Sequence, residues 1–179
     1  ASQKNIYTST STNAHYLDDE NAKATVESGL DRLIISIDGT TQESYQSYRI
    51  GGDLQKVMDG TKNILKWKKT LKSKTPHVIF QFVVFRQNEH EVEDVKKLGK
   101  ELGVDEVKIK SAQIYDYENG NERIPTKEEF SRYKKVSTNA ETAVSPPLEG
   151  VGGGFSIKGE QSHSCWKMWN SCVITWDGK

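Results

Sequence analysis

The sequence predicts an α/β fold: a partial parallel βα barrel of about four βα units, followed by an irregular C-terminal extension. Three observations predict it. Strand-like and helix-like stretches alternate from Ile6 to Lys110 in the order β-α-β-α-β-α-β, which implies parallel strands joined by right-handed crossovers. Glycines stand where helix gives way to strand, at Gly29 and Gly103. Finally, Gly29-Leu30-Asp31-Arg32-Leu33-Ile34-Ile35-Ser36 is echoed by Gly103-Val104-Asp105-Glu106-Val107-Lys108-Ile109-Lys110. The same helix-to-strand joint therefore recurs two units later. Such repetition suits a βα barrel better than one open doubly wound half, although both folds produce it.

Ile6-Tyr7-Thr8-Ser9-Thr10 is β-branched and aromatic and reads as the first strand. After a loop through Ser11-Thr12-Asn13-Ala14, Asp18 or Asp19 caps a helix that runs to Ser28. Leu33 to Asp38 is the second strand. Residues two apart share a face, so Leu33, Ile35 and Ile37 make one apolar face, while Ile34, Ser36 and Asp38 make the other. That second face ends in a hydroxyl and a carboxylate just before Gly39. Such groups at the carboxyl end of a strand mark a site rim in α/β enzymes; a turn with a helix cap explains Asp38-Gly39-Thr40 equally well. Thr40 or Thr41 then opens a short helix holding Tyr45 and Tyr48, which breaks at Gly51-Gly52. Asp53 caps a longer helix with Leu54, Val57, Met58, Thr61, Ile64, Leu65 and Leu71 on one stripe. Val78 to Phe85 is a near-continuous apolar run, as in a strand covered on both faces. A helix follows Asn88, with Val92, Val95, Leu98 and Leu102 on one side, and Glu106 to Lys110 is the fourth strand. Pro125-Thr126-Lys127-Glu128-Glu129 reads as a helix start running through Tyr133. Ser145-Pro146-Pro147 and Gly150 through Gly154 read as linker.

Composition narrows the classes. The chain has 179 residues, with 25 Lys plus Arg against 25 Asp plus Glu. That balance gives no field for nucleic acid or an anionic membrane. The lysines on the long helix therefore read as a solvated face. There is no run of 18 apolar residues and no signal-peptide pattern at the start, so a cytoplasmic protein is expected. The 2 cysteines, Cys165 and Cys172, are too few for a secreted disulfide framework. Removing the 7 tyrosines and adding the 14 glycines raises the apolar share from 34% to about 38%, against ~45–50% in ordinary domains. Core material is scarce, as expected of a chain with much solvated loop or of a piece of something larger. The tail, with three of the tryptophans, ends at a hairpin turn, Asp177-Gly178, with no return strand; this too is expected of a fragment.

Polar groups recur on the strands: Thr8 and Thr10, Ser36 and Asp38, Gln81, Lys108 and Lys110. If Val107 and Ile109 face the helices, the lysines point inward with Ser36, Asp38 and Gln81. Buried charges need partners or water, so the pattern suggests a ligand cavity rather than a plain core. His15, His77, His90 and His163 are scattered and form no catalytic set. His90, in Asn88-Glu89-His90-Glu91, reads as part of a helix start. Cys165, Cys172 and His163 match no common zinc spacing.

Several motifs together resemble a known family. Ser36-Ile37-Asp38-Gly39, Tyr48-Arg49-Ile50-Gly51-Gly52, Gln81-Phe82-Val83-Val84 with Asn88-Glu89-His90-Glu91, and the tail around Trp176-Asp177-Gly178 resemble the radical S-adenosylmethionine enzymes of the branch with a C-terminal SPASM domain. The resemblance implies four βα units of a six-stranded partial barrel. In that family a [4Fe–4S] cluster on a Cys-x3-Cys-x2-Cys loop binds S-adenosylmethionine. Reductive cleavage then yields a 5′-deoxyadenosyl radical. Thr12-Asn13-Ala14 is similar to the family's Thr-Asn-Gly loop, with alanine for glycine, which places Asn13 at the cofactor. Ser36 matches the residue that contacts the cofactor ribose, and Asp38 lies beside it. Arg49 matches an arginine that meets the cofactor carboxylate, and Val83 and Asn88 match positions bordering the adenine. Hydroxyl and carboxylate groups suit ribose hydroxyls, and a guanidinium suits a carboxylate. Cys165, separated by twelve residues from Gly178, resembles the opening of the SPASM signature and would ligate an auxiliary Fe–S cluster in a full-length parent.

The resemblance divides the chain into a barrel core (1–135), a linker (136–163) and the truncated start of a SPASM domain (164–179). The Cys-x3-Cys-x2-Cys loop, the glycine-rich segment after the second barrel strand and the later SPASM cysteines are absent from the sequence. The expectation is therefore a fragment that is inactive alone, whose parent performs radical chemistry on a peptide or protein. The exposed sheet edge is expected to favour a dimer. Two rivals remain open: a βα-barrel lyase or aldolase with Lys108 or Lys110 as Schiff-base amine, and a non-catalytic module that binds a small ligand.

Overall fold

The computed structural model describes residues 4, 6–135 and 154–159. Four parallel strands alternate with helices: β1 (Ser9–Thr12), α1 (Asp19–Glu27), β2 (Arg32–Ser36), α2 (Gln42–Tyr48), α3 (Leu54–Thr70), β3 (His77–Val84), α4 (Val92–Leu102) and β4 (Glu106–Ser111). The sheet order is β1-β2-β3-β4, so each strand lies beside the next in sequence, as a barrel wall requires. A short antiparallel pair, β5 (Tyr133–Lys135) with β6 (Phe155–Ile157), follows. The α/β fold and the partial-barrel arrangement agree with the sequence reading.

The helices start where local chemistry allows. Asp18 Oδ1 accepts the Asn21 N–H at 2.8 Å, Thr41 Oγ1 that of Ser44 at 3.1 Å, and Asp53 Oδ1 that of Lys56 at 3.3 Å. Each satisfies an amide that the first turn leaves open. Gly103 ends α4 at φ 83°, a left-handed conformation that suits glycine. The core lies between the sheet and the helices. Leu33, Ile35, Val78, Phe80, Phe82 and Val84 turn inward to Val26, Val57, Ile64 and Val95 and are buried with them.

The repeated joint has a structural counterpart. Asp31, just before β2, accepts the N–H of Thr8 at 2.7 Å and its hydroxyl at 2.9 Å. Asp105, just before β4, accepts the Val78 N–H at 2.7 Å and the Lys68 ammonium at 2.6 Å. Each aspartate thus ties the start of its own strand to a neighbouring one. Asp31 also explains a shift at the first strand. Thr8 is drawn into this joint, and pairing begins with Ser9 opposite Arg32. The strand expected over Ile6 to Thr10 thus runs over Ser9–Thr12, and its Ser9 and Ser11 share the face of Ser36.

Two further expectations change. The helix expected from Pro125 through Tyr133 is absent. The Glu89 carboxylate accepts the N–H groups of Thr126 at 2.7 Å and Lys127 at 3.1 Å, together with the Thr126 hydroxyl. Only tight i−3 turns follow, Phe130 to Lys127 and Ser131 to Glu128, before the chain extends into β5. Within the expected linker, 136–163, Phe155–Ile157 forms a strand against β5. The expected SPASM segment, with Cys165, lies outside the described residues.

The joint aspartates make a pH prediction. The Thr8 backbone and hydroxyl bonds hold Asp31 below its usual pKa. Burial pushes Asp105 up, but the Lys68 ammonium and the Val78 amide outweigh it and hold this carboxyl low as well. A depressed folded-state pKa gives stability that is complete above the unfolded value and is lost as pH falls through the folded value. Urea midpoints should be flat from neutral pH to about pH 5 and fall below about pH 4. Asp105→Asn should show a shallower acid decline; an identical decline in variant and parent contradicts this role.

Candidate functional site

The carboxyl edge of β2 is organised by Asp38. Ile37 N–H still donates to the Gln81 carbonyl at 3.0 Å, continuing the β2–β3 ladder one residue past β2. The next amide on that edge, Val83 N–H, donates at 3.0 Å to Asp38 Oδ1. A side-chain carboxylate thus extends the ladder. Its other oxygen, Oδ2, accepts Arg49 Nε–H at 2.7 Å. Asp38 is 0% exposed, so the guanidinium supplies the opposite charge that a buried carboxylate needs.

Asn88 secures the same edge from behind. Its Oδ1 accepts the Phe85 N–H at 2.7 Å, and its Nδ2 donates to the Asp38 and Val83 carbonyls, each at 3.0 Å. One buried amide therefore joins the ends of β2 and β3 and satisfies three backbone groups, two of them in buried hydrogen bonds. Helix α2 carries Arg49 to this edge, and its seating depends on Gly39. A Cβ there would lie 2.3 Å from the Tyr45 nitrogen. Glu91, buried beside it, accepts the Thr40 N–H at 3.1 Å and the Ser44 hydroxyl at 2.8 Å, and so fixes the entry to α2.

The six residues picked from the sequence fall into two groups. Ser36, Asp38, Arg49, Val83 and Asn88 meet at the β2–β3 edge, and Asn13 shares a hollow with Arg49. Asp38 and Asn88 are fully buried with their polar atoms engaged inside the protein, so they position the wall rather than present it. Ser36 has a different character: among the described residues its hydroxyl has no hydrogen-bond partner. Arg49 is half-buried and keeps its Nη groups free of partners among the described residues, and its guanidinium lies 5.5 Å from the Tyr48 ring centre.

Sequence reasoning missed Glu91, Tyr45 and His15. Glu91 and His15 each stood close to a residue that was chosen, Glu91 beside Asn88 and His15 beside Asn13. Tyr45 was read only as part of a short helix. His15 Nε2 accepts the Asp53 N–H at 3.3 Å, and Tyr45 lies under the hollow that Arg49 lines. A broader depression of about 700 Å³ lies next along the rim, between Tyr48 and Phe85 on one side and the 113–123 loop on the other.

Register places Ser36, Gln81 and Lys108 in line across the sheet, with Val83 and Lys110 one step further. The lysines share the Ser36 face, as expected. Among the described residues this face is open rather than enclosed, with Lys110 exposed and Lys108 3.4 Å from Glu106. An iron–sulfur cluster does not fit the residues of this chain. Three thiolates are needed for a site-differentiated cluster, and the sequence holds 2 cysteines. Among the described residues no three His, Cys, Asp or Glu side chains converge on a metal site. No helix among them is long and apolar enough to cross a membrane.

No family model matches the chain. Among curated proteins, the chain is 29% identical over 165 residues to a GTP 3',8-cyclase of Alkaliphilus oremlandii (strain OhILAs), across 88% of this chain and 50% of that enzyme. The chain thus spans about half the length of the curated relative it matches.

The edge predicts a large loss on truncating Asn88. Asn88→Ala leaves the Phe85 N–H and two carbonyls without their partner, and destabilisation of about 3 kcal/mol is expected at ~1 kcal/mol or more per orphaned group. Urea unfolding measures it. A loss under about 0.5 kcal/mol, the range of an ordinary surface substitution, contradicts the assigned role.

Proposed function

We propose that the chain forms the nucleoside-facing wall of the S-adenosylmethionine site in a radical S-adenosylmethionine enzyme. The distant similarity to a GTP 3',8-cyclase, itself a radical S-adenosylmethionine enzyme, supports membership of that superfamily. The observation that carries the reading is the Asp38 network, which holds the Arg49 guanidinium on the same carboxyl edge as Ser36, whose hydroxyl has no hydrogen-bond partner among the described residues. A serine hydroxyl at a strand end suits a ribose hydroxyl, Val83 gives an apolar edge for the base, and a guanidinium suits the methionyl carboxylate.

When bound, S-adenosylmethionine supplies the radical source of that enzyme class. The residues here bind and orient it; the thiolates of the cluster are not among them. On this proposal the parent enzyme belongs to the SPASM branch, with an auxiliary Fe–S cluster to which Cys165 contributes. Its substrate is a peptide or protein. The chain alone is inactive, acts in the cytoplasm and has no affinity for nucleic acid or membrane. The edges of β1 and β4, which no described strand covers, provide for pairing of two copies.

Calorimetric titration of the full chain with S-adenosylmethionine tests the reading. Saturable binding is expected with Kd on the order of 0.1–1 mM, about −4 to −5.5 kcal/mol. Ser36→Ala should weaken it about fivefold, the worth of one hydrogen bond. Reconstitution with iron and sulfide should give no [4Fe–4S] EPR signal and no cofactor cleavage on this chain alone. Absence of binding at 10-fold the expected Kd, or a borohydride-trapped carbonyl adduct on Lys108 or Lys110, contradicts the proposal.

A further inference from the structure

The acidic and basic residues of the chain balance, 25 against 25, but they are not evenly spread. Between residues 123 and 135 five cations, Arg123, Lys127, Arg132, Lys134 and Lys135, stand against two carboxylates, Glu128 and Glu129. This local excess gathers around a hollow of about 510 Å³ bounded by the loop after β3, the turns over 124–131 and the β5–β6 pair. Arg86, Lys134 and Lys135 line it, together with Glu128. Its volume is that of a small-ligand site.

Arg86 is fixed before any ligand arrives. Its backbone N–H donates to the Arg123 carbonyl at 3.1 Å and its Nε–H to the Ile124 carbonyl at 3.0 Å. Both acceptors are neutral backbone oxygens, so the guanidinium is held without being neutralised. Its Nη groups have no partner among the described residues. Arg49 differs, because the Asp38 carboxylate takes up its charge. Glu128 is the one carboxylate on the wall. It lies 3.5 Å from the Lys158 ammonium with its side chain 85% exposed, so it leaves the charge of the hollow uncompensated. Among the described residues Arg86, Lys134 and Lys135 are in no ion pair.

The rest of the wall is apolar or already engaged. Ile124 and Tyr133 are buried, and Phe155 packs against them. The Tyr133 hydroxyl donates to the Ile114 carbonyl at 2.8 Å and accepts its N–H at 2.6 Å. The Ser131 hydroxyl donates to the Tyr133 carbonyl, and that of Thr126 to Glu89. What the hollow offers a ligand is therefore positive charge and a fork of N–H donors above an apolar floor. That combination selects an oxyanion carried on an apolar stem. A glutamate or aspartate side chain among apolar residues has this form. Position favours a peptide: Arg86 follows directly on Phe85, which lines the depression beside the Asp38 edge. Neighbours in sequence thus line two adjoining hollows of one rim, and an extended ligand lying along that rim meets both.

We infer that this hollow is a recognition subsite for an acidic side chain of an extended peptide, with Arg86 as the fixed donor fork and Lys134 and Lys135 supplying further positive charge. That the peptide is a substrate rests on the function proposed above; the charge of the hollow does not.

The test titrates the full chain calorimetrically with a capped hexapeptide of alternating glutamate and leucine, the same peptide with glutamine for glutamate, adenosine monophosphate and S-adenosylmethionine. The glutamate peptide should bind saturably and more weakly as salt is raised, and the glutamine peptide about 10-fold more weakly. Lys134→Gln combined with Lys135→Gln should weaken the glutamate peptide about 5- to 10-fold. Both lysines are exposed, so the urea midpoint of this variant should equal that of the parent. Arg86→Lys, which keeps the charge but loses the fork, should weaken the same peptide, and neither variant should change the affinity for S-adenosylmethionine. Equal binding of the glutamate and glutamine peptides, no binding of the glutamate peptide, or unchanged affinity for it in both variants overturns the subsite. Tighter binding of adenosine monophosphate than of the glutamate peptide assigns the hollow to a phosphate ligand and overturns it as well. Binding of the glutamate peptide without S-adenosylmethionine supports the subsite and overturns the nucleoside reading; the reverse overturns the subsite alone.

Discussion

The Asp38 carboxylate is the group on which the rest of the edge depends. It lies just past the last residue of β2 yet keeps that strand joined to β3, because Oδ1 takes the Val83 amide. Its second oxygen holds Arg49. A carboxylate at 0% exposure is costly without a counter-charge, so the fold and the position of the guanidinium are coupled. Moving α2 would strand the charge, and losing the charge would free α2. Gly39, Asn88 and Glu91 remove the alternatives by fixing the strand end, the neighbouring strand and the helix entry.

This coupling gives the edge a division of labour. Asp38 and Asn88 are consumed in holding the backbone, whereas the Ser36 hydroxyl and the Arg49 Nη groups have no partner among the described residues. A site built this way is preorganised: the presented groups are held by buried ones, so little order has to be created on binding. The Lys108 and Lys110 side chains share the same face but are paired or solvated. A Schiff-base amine gains its reactivity from desolvation or a cationic neighbour; Lys110 is exposed and Lys108 is paired with the Glu106 carboxylate.

Much of the fold was legible because its signals are local. The caps Asp18, Thr41 and Asp53 act within three residues of themselves, and the apolar alternation of β2 and the αL stop at Gly103 can be read in place. The candidate site was legible as a set of positions but not as a set of roles. Asp38 reads as a ligand group in the sequence; its partners lie 11 and 45 residues away, and only the folded chain shows that both oxygens are taken. The same limit explains the missing helix after Pro125. Its capping carboxylate is Glu89, 37 residues earlier, and it closes a turn instead of starting a helix. At β1 the strand begins at Ser9 rather than Ile6, because Asp31, 23 residues on, takes up the Thr8 amide and hydroxyl. Three-residue strands such as β5 and β6 carry too little periodicity to be seen.

The central claim is that the Asp38-held edge is where a nucleoside cofactor meets this chain. Mapping of 15N–1H chemical shifts on adding S-adenosylmethionine tests it most directly. The account predicts perturbations centred on the Ser36 and Val83 amides, the Arg49 Nε–H and the residues around Tyr45, with the 126–135 region silent. Perturbations centred instead on Arg86, Lys134 and Lys135, which line a separate hollow of about 510 Å³, or no perturbation at saturating cofactor, would contradict it.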